Sequence, residues 1–486
     1  MVLGLITTVG TDVSGVIGIL KDQLSHFHYE VEEVSVSQDV ISQFESFPPA
    51  KGCSEFQRIS HYMDLGNQVR QKARDNSILM KGVAAHLHRK REKDALEIPQ
   101  PRERVAYIIK SLKHPDEVDF MRDTYGDGFH LIGITSSYER RINYLKTRKA
   151  LSHEQAETLL QRDANEDLKQ GQHTRDAFQH ADYFINLTED SDRIYNALSR
   201  LTDLLFGNPF ISPSFDEYAM FMAYASSLRS ADLSRQIGAV IAKNNEILAT
   251  GANDCPKAGG GLYWPVLKEH GQYEDEPCGR DYTLKCDSNK KEQQKIVNAI
   301  LEALKLDMSE ENSKRVKDAG IGDLTEYGRV VHGEMEALLS CARNNVSCRG
   351  ADLYATTFPC HNCAKHIIAA GIKRVVYIEP YPKSKAFEFY KAEISDDVPA
   401  ENKVVFESFT GVGPQRFNDL FAVSSTRWYA KKRKDKDGNK LEWERGDAEL
   451  RNPISLLNYL YAEQNALLSF EDETTTIAIK GDLCHE

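Results

Sequence analysis

Val331-His332-Gly333-Glu334-Met335-Glu336-Ala337-Leu338-Leu339-Ser340 and, further on, Ala351-Asp352-Leu353-Tyr354-Ala355-Thr356-Thr357-Phe358-Pro359-Cys360-His361-Asn362-Cys363-Ala364-Lys365 decide how this chain is read. Met335, Ala337, Leu338 and Leu339 have helical spacing, so His332 stands where a helix begins. The short β-rich run Ala351–Phe358 leads to Pro359, and proline there marks a second helix start. Cys360 follows His332 by 28 positions (360 minus 332). Two helix N-termini can bring one imidazole and two thiolates together, and their positive dipole ends favour deprotonated sulfur.

Three ligands of this soft N/S type, His332, Cys360 and Cys363, leave the fourth tetrahedral position of Zn²⁺ open, as in a catalytic site. Zinc there lowers the pKa of water to about 7. Glu334, two residues after the histidine, is placed to carry a proton from that water to a leaving amine. A lone Cys-x-x-Cys is often a redox pair or half of a structural zinc site. The ordered pair of half-motifs, each opening a helix, argues for catalysis instead. The His-x-Glu…Pro-Cys-x-x-Cys order is that of zinc nucleobase deaminases.

The runs His332–Ala337 and Thr356–Lys365, with Gly371-Ile372-Lys373-Arg374-Val375-Val376-Tyr377-Ile378-Glu379-Pro380-Tyr381, resemble deoxycytidylate deaminases. Ser234–Val240 and Thr250–Pro256 look like that family's opening strand and substrate loop. A two-domain bacterial group of this family, with a P-loop kinase-like domain ahead of the deaminase, is similar over nearly the whole chain. The resemblance implies a cytidine-deaminase-like α/β/α three-layer domain at 215–430, with an insertion at 258–324. Before it stands a parallel-sheet P-loop kinase-like domain at 1–208, and after it an extension at 431–486. It also implies one zinc and free deoxycytidine nucleotides (dCMP or dCTP) as substrates. Further implied are a substrate contact by Asn253 (to the sugar), a homo-oligomer and a role in phage defence. Arg235 is a further candidate for a substrate contact. Tyr381 and Lys383, in the loop after the Cys-x-x-Cys helix, are read either as meeting the base or sugar and a phosphate or, equally, as packing at core or rim. An RNA or protein inhibitor or a nucleotide effector would act on the first domain. Gly333 stands where the family more often has Ala, an exchange that changes no functional group.

The chain has 486 residues, enough for two or three domains with sizeable cores. Its 41% apolar and 28% charged residues fit a soluble protein, and no run has the length of a membrane span. Nine cysteines with no export signal point to a reducing, cytoplasmic compartment. A net charge of −12 argues against a polynucleotide partner, which needs a basic surface with stacking platforms. The basic runs His88–Lys93 and Lys431–Lys436 are read as solvated faces. A nucleotide sensor on a deaminase fold would be the other reading, and Glu334 argues against it.

At the N-terminus Val2–Thr7 reads as a strand, Val16–Leu24 as a helix and Tyr29–Ser37 as a strand. Set against G-x-x-x-x-G-K-S/T, the first turn has Thr7 at the first glycine, Asp12 at the second and Val13 at the lysine. Gly10, Thr11 and Ser14 are the residues left that suit a phosphate. Without the lysine, and with Asp12 repelling phosphate, phosphoryl transfer is expected to be lost. Arg104–Ser111, His130–Thr135 and Ala181–Asn186 read as further buried strands. Tyr138–Leu168 reads as one helical region whose arginines face solvent or a phosphate. The break between domains falls at Gly207–Ser214.

In the second half, Gly238–Ala242 and Glu246–Gly251 read as a hairpin turning at Asn244-Asn245. The insertion contains two helices, Lys291–Lys305 and Ser309–Ala319, and three cysteines. Cys255, Cys278 and Cys286 are read as free thiols rather than a second zinc site. A last helix is expected over Ser455–Leu467, with a mobile tail from Glu471.

Overall fold

The computed structural model describes residues 1–44, 52–94, 100–164, 173–380, 384–396, 401–423, 431–452 and 458–482. It divides into two compact units, Met1–Glu217 with Ser408–Glu486, and Tyr218–Glu407.

The first unit is built on strands β1 (Val2–Thr7), β2 (Glu30–Ser35), β3 (Val105–Leu112), β4 (Phe129–Thr135) and β5 (Tyr183–Asn186). They run parallel in the order β2-β3-β1-β4-β5. All six residues of β1 are buried, as a central parallel strand covered on both faces requires. Val2 lies opposite Tyr107 on one side and Phe129 on the other. Helices Ser14–Ser25 and Ser191–Leu205 share a core with the strands through Leu20, Leu24, Leu198 and Leu201. The expected single helical region after β4 is two helices, Tyr138–Arg148 and His153–Ala164. Between them Ala150 takes a left-handed conformation, φ 52°. Residues 165–168 of that expectation lie outside the described residues.

The second unit has a mixed sheet of β6 (Gly238–Lys243), β7 (Glu246–Ala252), β10 (Asp352–Thr357), β11 (Arg374–Glu379), β12 (Ile394–Ser395) and β13 (Val404–Ser408), in the order β12-β13-β11-β10-β6-β7. A small separate hairpin, β8 (Val266–Leu267) with β9 (Tyr273–Glu274), belongs to the insertion. β6 and β7 form the expected hairpin, with Asn244 at φ 54° and Asn245 at φ 61°. Asparagine tolerates this region, which most residues avoid. β10 pairs antiparallel with β6 and parallel with β11. Two helices, Gly333–Arg343 and His361–Ala369, pack on one face of this sheet. They bury Ala337, Cys341, Cys363 and Ile367 against Ala239, Ile241, Leu353 and Val375. The insertion helices are Ser288–Ala303 and Glu310–Asp318.

The chain then returns to the first unit. β14 (Gly411–Val412) adds antiparallel to β5, and Val412 N–H donates to buried Glu217 at 2.8 Å. The deaminase part therefore ends at Glu407 rather than at 430, because an edge strand of the other sheet needs residues 411 and 412. The tail expected to be mobile from Glu471 is helix instead, within Asn458–Asp482. Phe470 and Ile477 are buried and hold it down. The same helix corrects the reading of His88–Lys93 as a solvated face. His88 and Arg91 are buried, and Arg91 pairs with buried Glu463 at 2.9 Å.

Candidate metal centre and active site

His332 precedes the helix Gly333–Arg343 and Cys360 precedes the helix His361–Ala369; both have extended backbone (φ −68°, ψ 151° and φ −66°, ψ 163°). Each therefore turns the chain into a helix while its side chain faces the first turn of the other. Cys363 follows in the first turn of the second helix. His332 Nδ1 lies 3.5 Å from Cys360 Sγ and 3.3 Å from Cys363 Sγ, and the three ligand atoms all lie within 4.8 Å of one another. Zinc–nitrogen bonds of about 2.0–2.1 Å and zinc–sulfur bonds of about 2.3 Å at the tetrahedral angle place N and S about 3.6 Å apart. The donor set and its spacing fit zinc.

Backbone packing fixes this geometry. A Cβ at Gly251 would stand 2.1 Å from Gly333 O and 2.5 Å from Ala337 N, so β7 touches the helix backbone directly. A Cβ at Gly333 would stand 2.8 Å from Ile237 O. The glycine at 333 is thus a steric matter in this chain, although it carries no functional group. Asp254 and Val331 bridge backbone to backbone and pin the segment just before His332.

A hydrogen bond from Cys363 holds the Cys360 thiol down to about 3, helped by His332. Donating to Cys360, and burial after that, push the Cys363 thiol up. The bond to Cys360 raises His332 to about 9. Cys363 and His332 thus hold their protons beside the Cys360 thiolate, and a divalent cation replaces such protons by binding the deprotonated groups. Glu334 is buried, and burial pushes its carboxyl above the usual range. Its Oε2 has no hydrogen-bond partner. A buried orphan acceptor costs about 1–3 kcal/mol, so this oxygen is poised for a group that is not part of the chain.

The expected substrate contacts fare differently. Arg235 pairs with buried Glu379, which also accepts from Thr357 Oγ1 at 3.0 Å. Sequence reading passed over Glu379, whose signal was an acidic residue closing the apolar run of β11. Asn253 is buried; its Oδ1 accepts from Ile237 N at 2.7 Å and its Nδ2 donates to Arg235 O at 2.7 Å. It braces the segment carrying Arg235. Tyr381 and Lys383 lie outside the described residues. Cys255 is buried with Asp281 Oδ1 at 3.7 Å, while Cys278 is exposed. Among the described residues the His332, Cys360 and Cys363 group is the one that could hold a metal.

In the first unit, the turn after β1 is satisfied from within. Val9 N–H donates to Asp163 Oδ2 at 2.8 Å. Gly10 lies against Arg141, from whose Cβ a Cβ on the glycine would stand 3.0 Å. Thr11 and Thr8 share a hydroxyl hydrogen bond at 3.3 Å, and Ser14 N and Oγ both donate to Asp12 Oδ1, at 3.1 and 2.6 Å. Arg141, read as facing solvent or a phosphate, is largely covered and donates to Val9 O at 3.4 Å.

A His-Cys-Cys donor set with an unpartnered carboxylate oxygen beside it, at paired helix starts on a mixed sheet, defines a zinc-dependent deaminase. The family profile of the cytidine and deoxycytidylate deaminase zinc-binding region matches residues 213–379. The deoxycytidylate deaminase of Enterobacteria phage T4 is 32% identical over 167 residues, covering 34% of this chain and 77% of that one. The human deoxycytidylate deaminase is 28% identical over 163 residues, covering 33% of this chain and 63% of that one. The dCMP deaminase structure from cyanophage S-TIM5 with dCMP and dUMP aligns at 21% identity over 41% of this chain and 99% of that chain, with a TM-score of 0.24. The chain belongs to the deoxycytidylate deaminase family, a zinc-dependent hydrolase whose matched part is about a third of its length.

Proposed function

We propose that the protein deaminates a free deoxycytidine nucleotide, dCMP or dCTP, by hydrolysis. The observation that carries this is the orphaned Glu334 Oε2 beside His332, Cys360 and Cys363. Those three residues would hold zinc, which when bound supplies a Lewis acid and an acidified water. Glu334 accepts the proton of the attacking water at Oε2 and returns it to the departing amino group. A carbon–oxygen bond forms at the amino-bearing ring carbon, the carbon–nitrogen bond breaks, and ammonia leaves. Burial raises the basicity of the Glu334 carboxylate, so it takes the proton of the attacking water more readily. Asn253 and Glu379 hold Arg235 at the rim in this reading, and Arg235 meets the nucleotide.

Acting on dCTP, the same reaction would lower dCTP in a cell, the role in phage defence that the resemblance implies. We also propose a homo-oligomer and a kinase-like first unit that regulates rather than transfers phosphate, through a nucleotide or an inhibitor. The test is ammonia release from dCMP, dCTP, CMP, cytidine and single-stranded DNA. Turnover of dCMP or dCTP above all others is the expected result, and turnover of single-stranded DNA alone would overturn the substrate class.

A further inference from the structure

The first unit contains a cavity of about 220 Å³ that the metal centre does not explain. Val9 follows β1, Ser37 follows β2, and Ser111 and Lys113 lie at the end of β3; all four line it. The cavity therefore opens at the carboxyl ends of three parallel strands, where open α/β sheets bind their ligands. Its remaining wall is one face of the helix Glu55–Ala73, in which Arg58, Tyr62, Gly66 and Arg70 recur every four residues.

The charges are arranged asymmetrically. Arg58, Arg70 and Lys113 line the cavity, while their carboxylate partners Glu55, Glu117 and Asp163 do not. Arg70 is buried, with 3% of its side chain exposed, and its Nε has no hydrogen-bond partner. Its Nε–H is an unfilled donor in a residue that lines the cavity, and arginine's planar fork suits phosphate. Tyr62, with Ile59 and Met63, supplies an apolar stretch on the same helix wall, between Arg58 and Arg70.

We propose that this cavity is a binding site for a nucleoside monophosphate, its phosphate held by Arg70, Arg58 and Lys113 and its base set against Tyr62. The volume lies below the roughly 300–1,000 Å³ usual for ligand pockets, which favours a monophosphate over a longer nucleotide. Of the turn after β1 only Val9 lines this cavity, so a longer phosphate chain meets no free backbone donor there. Val9 N–H is already taken by Asp163, and Arg141 covers Gly10. The unit binds a phosphomonoester without a phosphoryl donor beside it, which is what a sensor requires. The inference rests on the regulatory reading of the first unit only in giving it a ligand; binding and its effect on deamination are scored separately.

The experiment is calorimetry on the full-length, zinc-loaded chain with AMP, GMP, dAMP, dGMP, dTMP and inorganic phosphate. None of these presents a cytosine to the deaminase site. Two variants accompany it. Arg58→Gln alters a half-exposed cation. Gly66→Leu fills the cavity, since a Cβ at Gly66 would stand at 3.4 Å, in ordinary contact with Ile41. The expected result is saturable binding of at least one nucleoside monophosphate, stronger than inorganic phosphate. Arg58→Gln weakens it about tenfold or more, Gly66→Leu abolishes it, and dCMP turnover is unchanged in both. Binding of none of the six ligands, or binding that Arg58→Gln leaves intact, overturns the proposal. Should Gly66→Leu fail to fold, Arg58→Gln alone decides.

Discussion

At the start of the helix Gly333–Arg343, a buried carboxylate oxygen is left unpartnered beside an imidazole and two sulfurs within bonding range of one ion. At the start of the helix Ser14–Ser25, several polar groups of the preceding turn are paired within the chain. Asp163 accepts from Val9 N, Arg141 covers Gly10, and Asp12 takes both the backbone and the hydroxyl donors of Ser14. Both are strand-then-helix junctions of the kind that bind ions and phosphates. The difference lies in what each does with its polar groups. The first keeps unmet valence at a cost in stability, whereas the second spends several of its donors on the fold.

Breaking the open site should have the largest effect. Cys363→Ser removes one of three ligands from a buried position, so bound zinc falls from one per chain to near zero. Deamination falls with it, below about a thousandth of the parent rate. Elemental analysis alongside ammonia release checks both. Next in size is Gly251→Ala, whose methyl would lie 2.1 Å from Gly333 O. Overpacking of this kind, against backbone rather than a mobile side chain, should cost about 3 kcal/mol. A lowered melting temperature and weakened zinc retention are expected. Breaking the filled turn should be milder. Asp163→Ala leaves Val9 N–H without an acceptor and Lys113 with Thr7 O alone, and should cost about 1–3 kcal/mol, read as a lowered melting temperature. The same variant should gain no kinase activity, because the lysine position is still Val13. A gain would show that Asp163 alone silences that turn.

The contrast also explains what could be read in advance. His332, Glu334, Cys360 and Cys363 were legible because a helix start and a two- or three-residue spacing fix them locally. The hairpin was legible from Asn244-Asn245, which accept left-handed backbone at little cost. Asp163 was not, since its partner Val9 is 154 positions away and nothing near either residue announces the pair. Glu379 and Arg235, 144 positions apart, were hidden in the same way. The end of the deaminase part was misplaced because no local signal tells a chain leaving one sheet to pair with another. The final helix was cut short because its polar sequence outweighed Phe470 and Ile477, which only tertiary burial makes decisive.

The most direct measurement is ammonia release from dCMP by zinc-replete protein and by its Glu334→Gln variant, with zinc counted in both preparations. The account predicts equal zinc and a rate about 10²–10⁴ lower in the variant, since only proton transfer has been removed. A variant that keeps both its zinc and its rate would contradict the assignment of Glu334, and with it the central claim that the open helix start is the catalytic one.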